Sequence, residues 1–199
     1  MPAAPQEEKR RQILDAAVHA FARKGYHACR VSEIAEEAGV AYGLVYHYFG
    51  SKEEVLQTIF RDTWTQMLAR VSEVQEEGGT AREQVRKVTA LLLRTWHRDP
   101  DLVRVLVHEV TRSPEQLQQQ IDEIGHAYKA LESIVAHGQE SGEFRADLDP
   151  QIAAVVFYGA LEEVLTGWVM GQLPDGDDDI AKAEQAVTGL VCDGLANRS

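Results

Sequence analysis

The stretch VSEIAEEAGVAYGLVYHYFG, residues 31–50, decides how the rest of the chain is read. Ile34, Ala35 and Ala38 recur at helical spacing, and Gly39-Val40 then breaks the pattern. A second short segment follows, anchored by Val45 and Phe49 four residues apart and ended by Gly50. Two short helices about a tight glycine turn are the helix-turn-helix arrangement. The first helix braces and the second offers its N-terminal part to the DNA major groove. On that second helix Ala41, Tyr42, Leu44, Tyr46, His47 and Tyr48 are left to face outward. Tyrosine hydroxyls bond phosphate oxygens, and their rings pack on sugars and thymine methyls. Gly43 allows close backbone approach, and Lys52 at the next helix start suits a phosphate, as the helix macrodipole does. Arg30 and Ser32, at the head of the bracing helix, complete the expected DNA-contacting set. For Tyr48, packing into the core of a small bundle competes evenly with DNA contact.

Outward from this motif, every segment reads as helix. Ile13, Ala16, Ala17, Ala20 and Phe21 form one apolar face upstream, closed by Gly25. Ser32 or its neighbour caps the second helix. Ser51-Lys52-Glu53-Glu54 opens a fourth, whose stripe of Val55, Leu56, Ile59, Phe60, Trp64 and Leu68 runs to about Gln75. Thr80 opens a fifth to about His97, and Asp99-Pro100-Asp101 separates it from a sixth that ends near Val110. Ser113-Pro114 opens a seventh that reaches Glu140, Asp149-Pro150 an eighth that closes at Gly171, and Asp177 a ninth to about Ala196. Strand alternation and hairpin signals are absent. The expected architecture is all-α: three short helices packed as a unit, followed by a larger helical bundle.

Composition bounds the partners. Twenty Lys+Arg stand against 32 Asp+Glu in 199 residues, a net charge of −12. Residues 1–60 carry only −1 of it, and from Lys9 to Arg30 six cations face the single acid Asp15. A locally basic segment on an otherwise acidic chain points to a polyanion at one end only. Cys29 and Cys192 are isolated, so neither a disulfide framework nor a cysteine zinc site is expected. The polar start lacks a signal-peptide core, and Glu162-Glu163 interrupt the most apolar run, Ile152–Met170. A cytoplasmic protein with no membrane association is the expectation.

The same residues carry a resemblance. Ile13-Leu14-Asp15-Ala16-Ala17, Phe21, Gly25-Tyr26, Val31 to Val40 and Val45 to Leu56 together resemble the N-terminal domain of TetR-family transcriptional regulators. The resemblance implies an all-helical homodimer, with a DNA-binding domain over 1–52 and an effector-binding and dimerisation domain over 53–199. It also implies a palindromic double-stranded operator. Tyr42 stands where many relatives carry Lys or Arg, which removes one phosphate charge. Further along, Gly138-Gln139-Glu140-Ser141-Gly142-Glu143-Phe144-Arg145 and Glu162-Glu163 with Thr166-Gly167-Trp168 are similar to the acyl-CoA-responsive repressors of fatty-acid degradation. That branch implies a long-chain acyl-CoA as effector and no cofactor.

The helices near 150–171 and 178–196 hold more apolar surface than one seam uses, which fits either a thick monomeric core or burial against a second copy, and the resemblance implies the second. Trp96, Tyr128, Phe157, Tyr158 and Trp168 are candidates to line a ligand cavity, with His97, Arg104, His108 and Arg112 as its polar points. Arg104 and His108 share a face at i, i+4, and coenzyme A phosphates would need such cations. For each of these residues, core packing or a surface ion pair competes with ligand contact.

An enzyme is the main rival. The His108-Glu109 pair has no second histidine at zincin spacing, and no nucleophile elbow or phosphate loop occurs. Asp177-Asp178-Asp179 lacks calcium-loop spacing, and acids at a helix start follow from the macrodipole. No catalytic or metal site is expected. A scaffold protein leaves the outward tyrosines unexplained. A repressor of drug efflux, answering cationic aromatic compounds through acids such as Glu109, Glu162 and Glu163, is the alternative within the family.

Overall fold

The computed structural model describes the backbone of residues 5–110 and 114–197, and the side chains of this range outside 5 and 109–124. Nine helices lie among the described residues: α1 (Pro5–Lys24), α2 (Val31–Glu37), α3 (Tyr42–Phe49), α4 (Lys52–Glu76), α5 (Ala81–Arg98), α6 (Pro100–Val110), α7 (Pro114–Glu140), α8 (Pro150–Val169) and α9 (Asp177–Leu195). The one β contact among these residues is an isolated bridge between Phe144 and Ala196. Two compact units form. The first takes the chain up to Thr63 together with Asp101–Gln118, so α6 belongs with the N-terminal helices. The second takes Trp64–Pro100 and the chain from Gln119 onward.

The N-terminal unit is built as the apolar spacing demands. Ile13, Ala17 and Phe21 of α1 meet Ile34 and Ala35 of α2 and Val45 and Phe49 of α3 in one buried core, closed by Val55, Leu56 and Ile59 of α4. Gly39 makes the turn between α2 and α3. Its φ of +60° is left-handed, and the next amide, Val40 N–H, donates back to Ala35 O at 2.9 Å. Gln12 of α1 donates from Nε2 to the free carbonyl of Ala38 at 2.8 Å, which satisfies the end of α2. At its other end α2 is capped at Arg30 rather than Ser32. The Arg30 N–H donates to Glu33 Oε2 at 2.8 Å, and Ser32 is exposed. Ser51 caps α4, its Oγ accepting from Glu54 N–H at 3.0 Å.

Four of the six cations of the N-terminal segment are paired with acids inside the unit. Arg10 bonds Asp62 at 3.2 Å and lies 5.7 Å over the Phe49 ring, Arg11 bonds Glu8, Arg23 bonds Glu37 at 2.8 Å, and Lys24 bonds Glu33. Most of the basic run is thus neutralised, in the case of Arg10 by an acid 52 residues away in sequence.

In the second unit, α5 packs on α9 and α8, and α8 packs on α9. Thr80 and Glu83 cap α5 reciprocally. The segment from Gly138 to Arg145 then ties three elements together. Glu143 accepts from the first amides of α5, Ala81 N–H at 2.8 Å and Arg82 N–H at 2.9 Å. Phe144 is buried, and the Arg145 N–H donates to Leu195 O at the end of α9. Gly138 makes this possible, because a Cβ there would stand 2.3 Å from Phe144 and 2.8 Å from Ala81. α8 is long and apolar enough to cross a membrane by length and composition. Here it is one layer of the bundle: Ala154, Phe157, Leu161 and Trp168 face inward, while Ile152, Val155 and Val156 remain exposed.

Candidate functional site

The α3 helix sorts its eight residues by depth. Val45 and Phe49 are buried, whereas Tyr42 and Tyr46 are 53% and 41% exposed. His47, Gly43 and Ala41 are also exposed, and Leu44 and Tyr48 are half-buried. Tyr48 tilts against His47 and Phe49, midway between core and surface. The Tyr42 hydroxyl donates to the Tyr46 hydroxyl at 3.2 Å, and the rings meet edge to face at 5.2 Å. Two phenols one turn apart therefore stand as a fixed pair on the outer side of α3. An array of hydroxyls and rings with no acid among them can take up phosphate, sugar and base edges. Arg30 and Ser32 are exposed at the head of α2.

Lys52 differs from the expectation for it. Its position at a helix start predicts a phosphate as partner. In the structure it is half-buried and donates to three carbonyls of the α1–α2 loop: Tyr26 at 2.6 Å, Cys29 at 2.8 Å and His27 at 3.5 Å. An ammonium has three donors, and these contacts occupy them. Lys52 is thus a pin that fixes the loop leading into the helix-turn-helix.

The residues proposed from sequence for a ligand separate into groups. Trp96 and Trp168 stack at 6.4 Å, and their indoles are satisfied by the α8–α9 loop, Trp96 by Asp175 at 3.2 Å and Trp168 by the Pro174 carbonyl at 3.0 Å. That pair is core packing that holds the loop. Gly167 helps it, since a Cβ there would meet Leu173 at 2.7 Å. His97 sits at the surface against Asp177 at 3.2 Å. Arg104 bonds Asp101 at 2.7 Å, and His108 is half-buried; both lie in the N-terminal unit. Arg112 falls outside the described residues. Phe157 is fully buried.

Tyr128 and Tyr158 form a different cluster. Their rings meet edge to face at 5.1 Å, and Tyr158 stacks on Trp64 at 6.4 Å. Burial pushes the Tyr158 phenol well above its usual range, with the Glu162 charge adding to the effect. Tyr128 is raised for the same reasons. The Glu162 carboxyl is itself raised, first by desolvation and then by the like charge of Glu163. Trp64, read from sequence only as one residue of the α4 stripe, is the member of this cluster that sequence reasoning missed. Its spacing marks it as core, and nothing local signals its neighbours.

Known proteins share the fold. Residues 13–59 match the family described as "Bacterial regulatory proteins, tetR family", and residues 60–194 match "YsiA-like protein, C-terminal region". The fatty acid metabolism regulator protein of Bacillus subtilis is 35% identical over 94% of this chain and 95% of its own length. The crystal structure of FadR from Bacillus subtilis in complex with stearoyl-CoA is 32% identical with a TM-score of 0.84, covering 93% of this chain and 98% of the other. FadR of Bacillus halodurans, a fatty acid degradation regulator, is 31% identical with a TM-score of 0.86 over the full length of both. With a helix-turn-helix whose tyrosines face outward and matches that run almost end to end, the chain belongs to the TetR family of bacterial regulatory proteins and is a transcriptional regulator.

Proposed function

We propose that the chain is a cytoplasmic repressor, without catalytic activity, which binds a palindromic operator as a homodimer and releases it when a long-chain acyl-CoA binds. The observation that carries the DNA reading is the outward Tyr42–Tyr46 pair beside exposed His47 on α3. The effector reading is supported by the near full-length likeness to a regulator solved with stearoyl-CoA. It is favoured over the efflux reading, since the matches centre on fatty acid regulators.

In this proposal residues 1–52 contact DNA, and residues 53–199 bind effector and dimerise. Tyr128, Phe157 and Tyr158 are the proposed lining for the acyl chain. Dimerisation is supported by the apolar residues left exposed on α8 and α9: Ile152, Val155, Val156 and Leu190, the last 78% exposed. Two recognition helices per dimer would enter successive major grooves about 34–36 Å apart. The chain passes between the units at 63/64, 100/101 and 118/119, and these crossings are the proposed route of the signal.

Fluorescence anisotropy with DNA from upstream of the chain's own coding region tests the proposal. Nanomolar binding by the ligand-free protein is expected. Saturating stearoyl-CoA should weaken it by a factor of about 5–150, the usual range of an allosteric coupling, and free stearate by less. Operator affinity unmoved by either ligand would remove the acyl-CoA assignment and leave the fold intact.

A further inference from the structure

The chain has three tryptophans, and their indole N–H groups are treated unequally. Trp96 donates to Asp175 and Trp168 to Pro174. Trp64 is 94% buried, and its Nε1–H is sealed from solvent without a hydrogen-bond partner. An unpaired buried donor is costly, and native structures satisfy nearly all of them. A stripe position on α4 would hold phenylalanine or leucine at no such cost. The orphan also lies in a particular place. Tyr158 covers the Trp64 ring, Tyr128 braces Tyr158, and both tyrosines are less buried than the indole they shield. The Glu162 charge is close enough to raise both phenols.

We propose that Trp64 is a specificity-determining residue of the effector site: its Nε1–H, which points from the ring edge in the indole plane, donates to the thioester carbonyl oxygen of an acyl-CoA bound beside the Trp64–Tyr158–Tyr128 cluster. This rests on the acyl-CoA reading above and deepens it. The ligand-free state keeps a donor unsatisfied, and the ligand-bound state satisfies it, so the carbonyl contributes to the differential affinity that shifts the population. Stacked aromatics accept any apolar chain. A buried donor that must find an acceptor distinguishes an acyl thioester from an alkyl chain of equal length.

Two probes separate these cases: stearoyl-CoA and S-octadecyl-CoA, the thioether in which a methylene replaces the carbonyl. The wild-type protein should bind the thioester about 3- to 10-fold more tightly, the effect of one hydrogen bond. Trp64→Phe keeps a ring and removes the donor, so it should bind both probes equally. Its operator affinity without ligand reports that it has folded. As a measurement that needs no variant, protein labelled with 15N-tryptophan should show one indole proton moving downfield with stearoyl-CoA and hardly moving with the thioether. Discrimination retained by Trp64→Phe, or an indole signal equally indifferent to both probes, overturns the Trp64 assignment while acyl-CoA recognition stands. Binding of neither probe by the wild-type protein overturns the acyl-CoA reading, and the Trp64 inference with it.

Discussion

The Lys52 ammonium lies 4.3 Å above the centre of the Tyr26 ring and donates to that residue's own carbonyl at 2.6 Å. One side chain thereby combines a cation–π contact with charge-assisted hydrogen bonds across 26 residues of sequence. The α1–α2 loop would otherwise present several carbonyls with no helical partner, and Lys52 collects them.

Removing Lys52 should therefore act on stability before it acts on DNA. Lys52→Ala is expected to cost about 2 kcal/mol in chemical denaturation, the scale of hydrogen bonds to a charged donor. The salt slope of operator binding should stay at the wild-type value, because the ammonium has no donor left for a phosphate. A slope shallower by about one, with stability unchanged, would return Lys52 to the DNA backbone.

Tyr46 gives the opposite pattern. Its hydroxyl reaches solvent and touches only the Tyr42 hydroxyl, so Tyr46→Phe leaves the core intact. Operator binding should weaken about 3- to 10-fold with an unchanged melting curve. Equal affinity in anisotropy titrations would mean that the phenol does not touch DNA.

Asp101 links pH to the stability of the N-terminal unit. Burial works against its charge, but hydrogen bonds from His19 at 3.0 Å and Arg104 at 2.7 Å outweigh it and hold the carboxyl below the usual range. A depressed carboxyl contributes stability above its unfolded pKa, about 3.9, and that contribution is lost as pH falls through the lower folded value. Asp101→Asn should thus destabilise most near pH 7 and progressively less below about pH 4. A loss of the same size at pH 7 and pH 3 in urea titrations would assign the effect to packing instead of charge.

How much of this was legible in the sequence depends on how local the cause is. The bounds of α3, the Gly39 turn, the Ser51 cap and the inward Val45 and Phe49 follow from residues within a few positions of each other. The pairing of Arg23 with Glu37 and of Arg10 with Asp62 does not, so much of the apparent basic run is neutralised once the helices pack. The ligand candidates show the same limit. Sequence groups the aromatic candidates together, but only the fold separates Trp96 and Trp168, bonded to the α8–α9 loop, from Tyr128 and Tyr158, which meet edge to face. Arg104 and His108 share α6, as their i, i+4 spacing implies, yet Arg104 bonds Asp101, three residues before it.

The Gly138–Arg145 segment was legible as a motif and not as a mechanism. Gly138→Ala puts a methyl into the space that Phe144 and Ala81 occupy, and both are buried side chains with little freedom to retreat. Overpacking of this kind typically costs about 1–3 kcal/mol. Glu143→Gln should cost about 1 kcal/mol, because Ala81 and Arg82 N–H donate to different carboxylate oxygens and the amide oxygen of Gln keeps only one of those bonds, without the charge that favours a helix start. Denaturation of both variants by guanidinium tests these costs. A Gly138→Ala protein as stable as wild type would show that Phe144 is free to repack.

The final prediction concerns the uncovered face of α8 and α9. Ile152, Val155, Val156 and Leu190 expose apolar surface, although the interior of the same helices is well filled by Ala154, Phe157, Leu161 and Val187. These four therefore contribute little to the fold of one copy, and a charge at any of them is tolerable in a monomer. In a dimer the same charge would be buried without a partner, at a cost of several kcal/mol. Leu190→Glu and Val156→Glu should accordingly fold with wild-type helical content by circular dichroism, yet sediment as monomers at micromolar concentration. Operator affinity should fall by more than any single contact explains, because the two half-sites would no longer be bound by one molecule. Variants that remain dimeric would place the interface on a different face of the bundle.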